Sequence, residues 1–164
     1  MRDKRKDINI KIEDIILNCR AVAVIISKNK ILFQKRKDDE FWALPGGKIE
    51  VGATTKDTVK RELKEELNIA NFEVSDVVTV SEYFFKFGND KYHQYIFGHK
   101  VIVNCDEWIF NNDEFEGVEK NSNLVFKWLD IDKLDNAPIK PDFIKKQLDQ
   151  ITIQDLQFIS YEEK

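Results

Sequence analysis

Residues 46–69 read GGKIEVGATTKDTVKRELKEELNI, and the reading of the whole chain works outward from them. A glycine pair follows Pro45, a short polar loop comes next, and a helical pattern begins near Thr54. Thr54 is a suitable N-cap, with Asp57 three residues on as its reciprocal partner. Thr55, Val59, Leu63 and Leu67 repeat every four residues and predict a packing stripe. Glu62, Glu65 and Glu66 stand at i, i+3 and i+4, on one face beside that stripe. Like charges at this spacing cost a helix roughly a few tenths of a kcal/mol per pair. A cation among them reverses the cost, and carboxylate oxygens are the donors that magnesium prefers. Asn68 stands where a left-handed residue should end the helix, a place Asn tolerates almost as well as Gly.

The spacing has a counterpart. Gly47, five residues, position 53, seven residues and then Arg61-Glu62-Leu63-Lys64-Glu65-Glu66 resemble the signature of the Nudix hydrolases, and Leu44–Glu50 (LPGGKIE) strengthens the resemblance. Two positions depart from it: Ala53 replaces a glutamate, and Asn68 replaces the closing glycine. A run such as KRELKEEL alone would be an ordinary solvated face; the glycine loop at fixed distance is what gives it meaning.

The resemblance implies an α/β/α sandwich with a mixed sheet, of a bacterial MutT-like branch. The alternation of strands and helices agrees with that layering. It implies magnesium, with manganese as an alternative, held by Glu62, Glu65, Glu66 and the carbonyl of Gly46. The reaction implied is hydrolysis of a pyrophosphate bond in a nucleoside diphosphate linked to another moiety. A polyanionic substrate needs such a metal, because bare carboxylates would repel it. Gly46, Gly47 and Lys48 would approach the phosphates, joined by Arg20 and Arg36. Arg61 would brace the loop, and Glu50 is the candidate partner that compensates for Ala53. A further carboxylate from a later loop is implied, with Glu116 and Glu119 ahead of Glu114 and Glu82. Two other readings stand beside this one: a catalytically weak nucleotide-binding module, which Ala53 favours, and RNA end-processing.

The remaining chain sets bounds. Its 164 residues, 42% hydrophobic and 12% aromatic, can bury a sizeable core. A net charge of −4 argues against nonspecific nucleic-acid binding but not against a nucleotide. Cys19 and Cys105 form no CxxC and read as reduced packing residues. With no apolar run of membrane length and no signal-peptide pattern, the expectation is a cytoplasmic protein without a membrane partner. A homodimer is a family habit that no stretch here locates.

In chain order, residues 1–7 read as a flexible tail and 8–164 as a single domain. Ile8, Ile10 and Ile12 predict a half-buried strand, Cys19–Ser27 a core strand, and Ile31–Arg36 its hairpin partner. Phe72–Phe87 and Lys91–Asn104 predict a second hairpin across Gly88-Asn89-Asp90. Residues 111–123 read as an acidic loop, 124–129 as a strand, Asp130–Leu134 as a short helical turn, and Gln157–Tyr161 as an edge strand. Pro141 reads as the first position of a second long helix over Asp142–Leu148. Trp42, Phe84, Phe85 and Tyr95 are candidate base-stacking groups, and His93 a candidate substrate contact. Trp108 reads as loosely held and Trp128 as packed beneath the last helix.

Overall fold

The helix at the centre of the sequence forms as its caps dictate. In a computed structural model, which describes residues 6–148 and 157–162, α1 spans Thr55–Leu67. The Thr54 hydroxyl accepts from the Asp57 N–H at 3.0 Å. Asn68 closes the helix at φ 49°, its N–H donating to Lys64 O at 3.0 Å. The buried face is Thr58, Val59, Leu63, Glu66 and Leu67. A glutamate therefore sits inside the packing stripe, not merely beside it.

The helix lies on one mixed sheet built around β2 (Ile15–Ser27). Along one edge β2 pairs in parallel with β6 (Asp90–Val103) from Ile15 to Ile25. Its other edge is shared in turn by β1 (Asn9–Ile12), β4 (Gly46–Lys48) and β3 (Lys30–Arg36). Outward from β6 come β5 (Phe72–Phe87) and then the edge strand β9 (Gln157–Glu162); outward from β3 come β8 (Leu124–Asp130) and β7 (Glu114–Glu116). Strand alternation gives the sheet two buried faces. Ala21, Ala23 and Ile25 of β2 face α1 through Val59, Leu63 and Leu67. Val22 and Val24 face the opposite cluster with Leu134, Phe143, Ile144 and Leu148. Helical segments cover both faces, which is the α/β/α sandwich with a mixed sheet.

Several expectations are corrected. β1 exists but is exposed throughout, with Ile10 52% and Ile12 57% accessible, because none of the described residues covers its apolar side. The acidic segment 111–123 is not all loop: β7 lies in it, paired antiparallel with β8. The described part of the second helix, α2, is a single turn, Ile144–Gln147; Pro141, joined to Lys140 by a cis peptide bond, lies before that turn and not at its first position. Trp128 packs on the α1 face, stacked on Phe110 and donating to Ile109 O at 2.8 Å, on the opposite side from α2. Trp108 is tied down, its indole N–H donating to Leu67 O at 2.8 Å. At the amino end, Val51 N–H donates to Lys6 O and Asp7 bridges to Glu50. No helix among the described residues is long and apolar enough to cross a membrane.

Candidate functional site

The glycine pair meets α1 at contact distance. Gly46, at φ +147°, packs so closely on β2 that an added Cβ would stand 2.2 Å from Ala21 O. A Cβ on Gly47 would stand 2.1 Å from Glu62 Oε1. Gly46 therefore requires glycine, a side chain on Gly47 would push the Glu62 carboxylate aside, and the absent side chains let this segment lie directly on the helix carboxylates. The carbonyl of Gly46 accepts from Arg20 Nη2 at 3.2 Å and from Gln34 Nε2 at 3.3 Å.

Glu66 is 7% exposed, and its Oε2 is buried without a hydrogen-bond partner. Burial, with Glu62 beside it, pushes its carboxyl up to about 8 even though Arg20 pulls the other way. Glu62 is raised as well, chiefly by burial, with Arg61 opposing the shift. Arg20 is lowered by the same desolvation and supported by Glu66 and Glu62. These groups form one electrostatic unit in which carboxylates are held close and only partly neutralised.

Arg61 braces the loop. Its Nη1 lies 2.8 Å from Glu62 Oε1 and 3.3 Å from Glu65 Oε2, its Nε lies 3.4 Å from Glu50 Oε1, and its Nη2 donates to Lys48 O at 3.3 Å. Ala53 offers it nothing, and Glu50 stands in the guanidinium's reach instead.

Of the later carboxylates, Glu119 comes to the site and Glu116 does not. Val118 N–H donates to Glu66 O at 2.8 Å, and Gly117 fits against the same carbonyl. Glu119 follows directly and adds to the upward shift on Glu66. Glu116, on β7, pairs instead with Lys37 at 2.6 Å. Glu114 pairs with Lys127, and Glu82 is engaged by His93 Nε2 at 3.0 Å and the Tyr95 hydroxyl at 2.9 Å. Arg36 is exposed at the end of β3, close enough for its charge to act on Arg20.

A cavity of about 590 Å³ opens beside Arg20 on the face away from α1. Phe41, Phe85 and Tyr83 line it, with Glu40 and Lys140. Among the expected stacking groups only Phe85 lines this cavity: Trp42 is a core residue, and Phe84 stacks on His93 with centroids 4.3 Å apart. Gln34, buried beneath Gly46, was not singled out from the sequence; a glutamine inside the apolar run ILFQ was its only signal.

The donors suit a hard cation. The candidate ligand atoms are all oxygens, one is a buried carboxylate oxygen without a hydrogen-bond partner, and the charge there is under-compensated. Among the described residues no three such side chains are already gathered as a cation cage, and Arg61 neutralises Glu62 and Glu65.

The chain is 53% identical over 55 residues, 30% of its length and 32% of the relative's, to an ADP-ribose pyrophosphatase of Methanocaldococcus jannaschii. It is 26% identical over 102 residues to the Bacillus subtilis protein YjhB, provisionally named for the same activity, covering 62% of this chain and 46% of that one. It thus spans between about a third and a half of the length of these curated relatives. Its fold matches a MutT protein from Bacillus halodurans with a TM-score of 0.63, at 16% identity over 90% of each chain. Residues 17–149 match the model of the NUDIX domain, and the chain belongs to that family.

Proposed function

We propose that this protein hydrolyses a pyrophosphate bond in a nucleoside diphosphate linked to another moiety, with ADP-ribose the first compound to try. The observation that carries the reading is the buried, partnerless Glu66 oxygen, set beside Glu62 and against the Gly46–Gly47 backbone. Glu62, Glu65, Glu66 and the Gly46 carbonyl would hold magnesium, or manganese in its place. Bound there, the metal supplies positive charge to the pyrophosphate and acidifies water.

The chain's own residues do the remaining work. Arg20 and the cations near it attract phosphate oxygens from the cavity side. Arg61 keeps Glu62 and Glu65 in place through Glu50 and the Lys48 carbonyl. Glu119, brought in by the Val118–Glu66 hydrogen bond, is the candidate to take a proton from the attacking water. The Arg61–Glu50 contact weakens the case for a catalytically feeble binding module, because it supplies the brace that Ala53 removes. The names of the two relatives favour ADP-ribose over an RNA end.

The test is turnover of a panel of nucleoside diphosphate derivatives with magnesium, run beside Glu62→Gln and Glu66→Gln. Hydrolysis of one compound that is lost in both variants supports the reading. Turnover unaffected in either variant, or absent for every compound, overturns it.

A further inference from the structure

The cavity beside Arg20 has a wall that the sequence does not announce. Two distant segments build it. Trp42 N–H donates to Pro138 O at 2.8 Å, and Lys140 N–H donates back to Trp42 O at 2.9 Å. These bonds strap residues 41–43 to 138–140, so the mouth is formed in the free protein. Phe41 stands there 44% exposed, with Lys140 Nζ 5.2 Å from its ring centroid. An exposed phenylalanine at a preformed cavity offers a flat apolar surface, and Phe85, stacked between Tyr83 at 4.6 Å and Tyr92 at 4.8 Å, adds apolar wall beside it. Arg20 also lines the cavity, and its guanidinium meets the Gly46 carbonyl.

The rim carries acids. Asp39 is used locally, its Oδ2 accepting from Arg36 N–H at 3.3 Å, and Asp38 lies 3.5 Å from the Asn123 amide. Glu40 lines the cavity and has no hydrogen-bond or ion-pair partner among the described residues. A carboxylate on a cavity wall repels phosphate, but it is a strong acceptor for a sugar hydroxyl. Aromatic surface, a free carboxylate and a guanidinium on one cavity match the three parts of a nucleoside 5′-phosphate. The volume, about 590 Å³, lies in the range that small ligands fill.

We infer that this cavity takes the nucleoside half of the substrate, its base against Phe41 and Phe85 and its ribose 2′-hydroxyl on Glu40. The protein then selects ribonucleosides with a free 2′-hydroxyl over 2′-deoxy and 2′-phosphorylated forms. The inference rests on the hydrolase reading for the direction of the 5′-phosphate, toward Arg20.

The test is calorimetric titration of the full chain, without metal, by adenosine 5′-monophosphate, its 2′-deoxy form and adenosine 2′,5′-bisphosphate. The first binds; the deoxy form binds about tenfold more weakly, as loss of one charge-assisted hydrogen bond implies. The bisphosphate binds more weakly still. Glu40→Gln narrows both differences, most for the bisphosphate, since only charge has been removed. Phe41→Ala weakens all three compounds by about threefold or more, as loss of a stacking surface implies. Melting curves confirm that both exposed-site variants fold. Failure of the wild type to bind the monophosphate, or unchanged ratios in Glu40→Gln, overturns the inference. Turnover retained without such binding sinks this inference alone. Selective binding without turnover of any diphosphate derivative upholds it and sinks the hydrolase reading.

Discussion

Arg61 and Glu50 lie 3.4 Å apart across the junction of helix and loop, each about three-quarters buried, with side-chain exposures of 23% and 26%. We propose that the pair takes the role that a carboxylate at position 53 would play in the Nudix signature. Glu50→Gln keeps the shape and removes the charge. It should cost about 1 kcal/mol, or roughly 2–4 °C in Tm, because the pair is largely sheltered rather than fully solvated. Turnover should fall about threefold to tenfold as Glu62 and Glu65 lose a fixed guanidinium. The double variant Glu50→Gln with Ala53→Glu should recover much of both. A single variant with unchanged Tm and turnover would refute the compensation.

Glu66 sets a pH dependence of opposite sign to that of an ordinary salt-bridged carboxylate. Its folded pKa, about 8, lies far above the usual carboxylate range. The folded chain therefore holds a proton that the unfolded chain has already released. Stability is full below the unfolded value and is lost as pH rises toward the folded one. In chelator, the wild-type Tm should decline between about pH 5 and about pH 8, and Glu66→Gln should flatten that decline. Magnesium binds the ionised form, so it should raise the wild-type Tm most at the alkaline end and do little for the variant. A variant that declines as steeply as the wild type would contradict the assignment.

Glu116 and Glu119 separate cleanly. Glu116 is in an exposed pair with Lys37 on β7, a contact worth about 0–1 kcal/mol. Glu119 sits next to the residue whose N–H binds the Glu66 carbonyl. Glu119→Gln should lower turnover at saturating magnesium by about tenfold or more, in the range of general-base losses. Glu116→Gln should stay within about twofold, as expected for an exposed pair. The reverse ranking would move the fourth carboxylate onto β7.

Local signals reached α1, its caps, the glycine loop and both hairpins, because each is written in a contiguous run. That Glu62, Glu65 and Glu66 share one helix was legible for the same reason. The misses are nonlocal. β7 is a three-residue strand with two exposed glutamates, and only its pairing to β8 makes it a strand. β1 shows the alternation of a half-buried strand, but among the described residues no element lies over Ile10 and Ile12. Trp108 and Trp128 are each fixed by a carbonyl far along the chain, Leu67 and Ile109. The cavity wall joins residues 41–43 to 138–140, and no spacing rule connects segments so far apart. Choosing Glu119 over Glu116 needed the fold of the 117–119 segment against α1.

His99 gives the last prediction. It is 1% exposed and joins two elements: Nδ1 lies 2.9 Å from Ser75 O, and Nε2 lies 2.9 Å from Thr55 Oγ1. A neutral ring with its proton on Nδ1 satisfies both, donating to the carbonyl and accepting from the hydroxyl. Protonation would put a second N–H toward Thr55 and a charge in a buried place. Burial accordingly lowers the ring's pKa, the Ser75 carbonyl opposes the shift, and Lys56 and Asp76 act in opposite senses nearby. The unfolded ring then takes up its proton before the folded one. This contribution is flat above the unfolded pKa of about 6.5 and is lost as pH falls below it. His99→Phe should cost about 1–3 kcal/mol at neutral pH, since Thr55 and Ser75 lose their partner. It should also remove the decline in stability that this ring imposes on the wild type as pH falls below about 6.5, read in urea melts. Thr55 begins the helix that carries Glu62, Glu65 and Glu66, so a modest loss of turnover should accompany the change. Equal acid-side slopes in the two proteins would mean that another group, not His99, sets that limb.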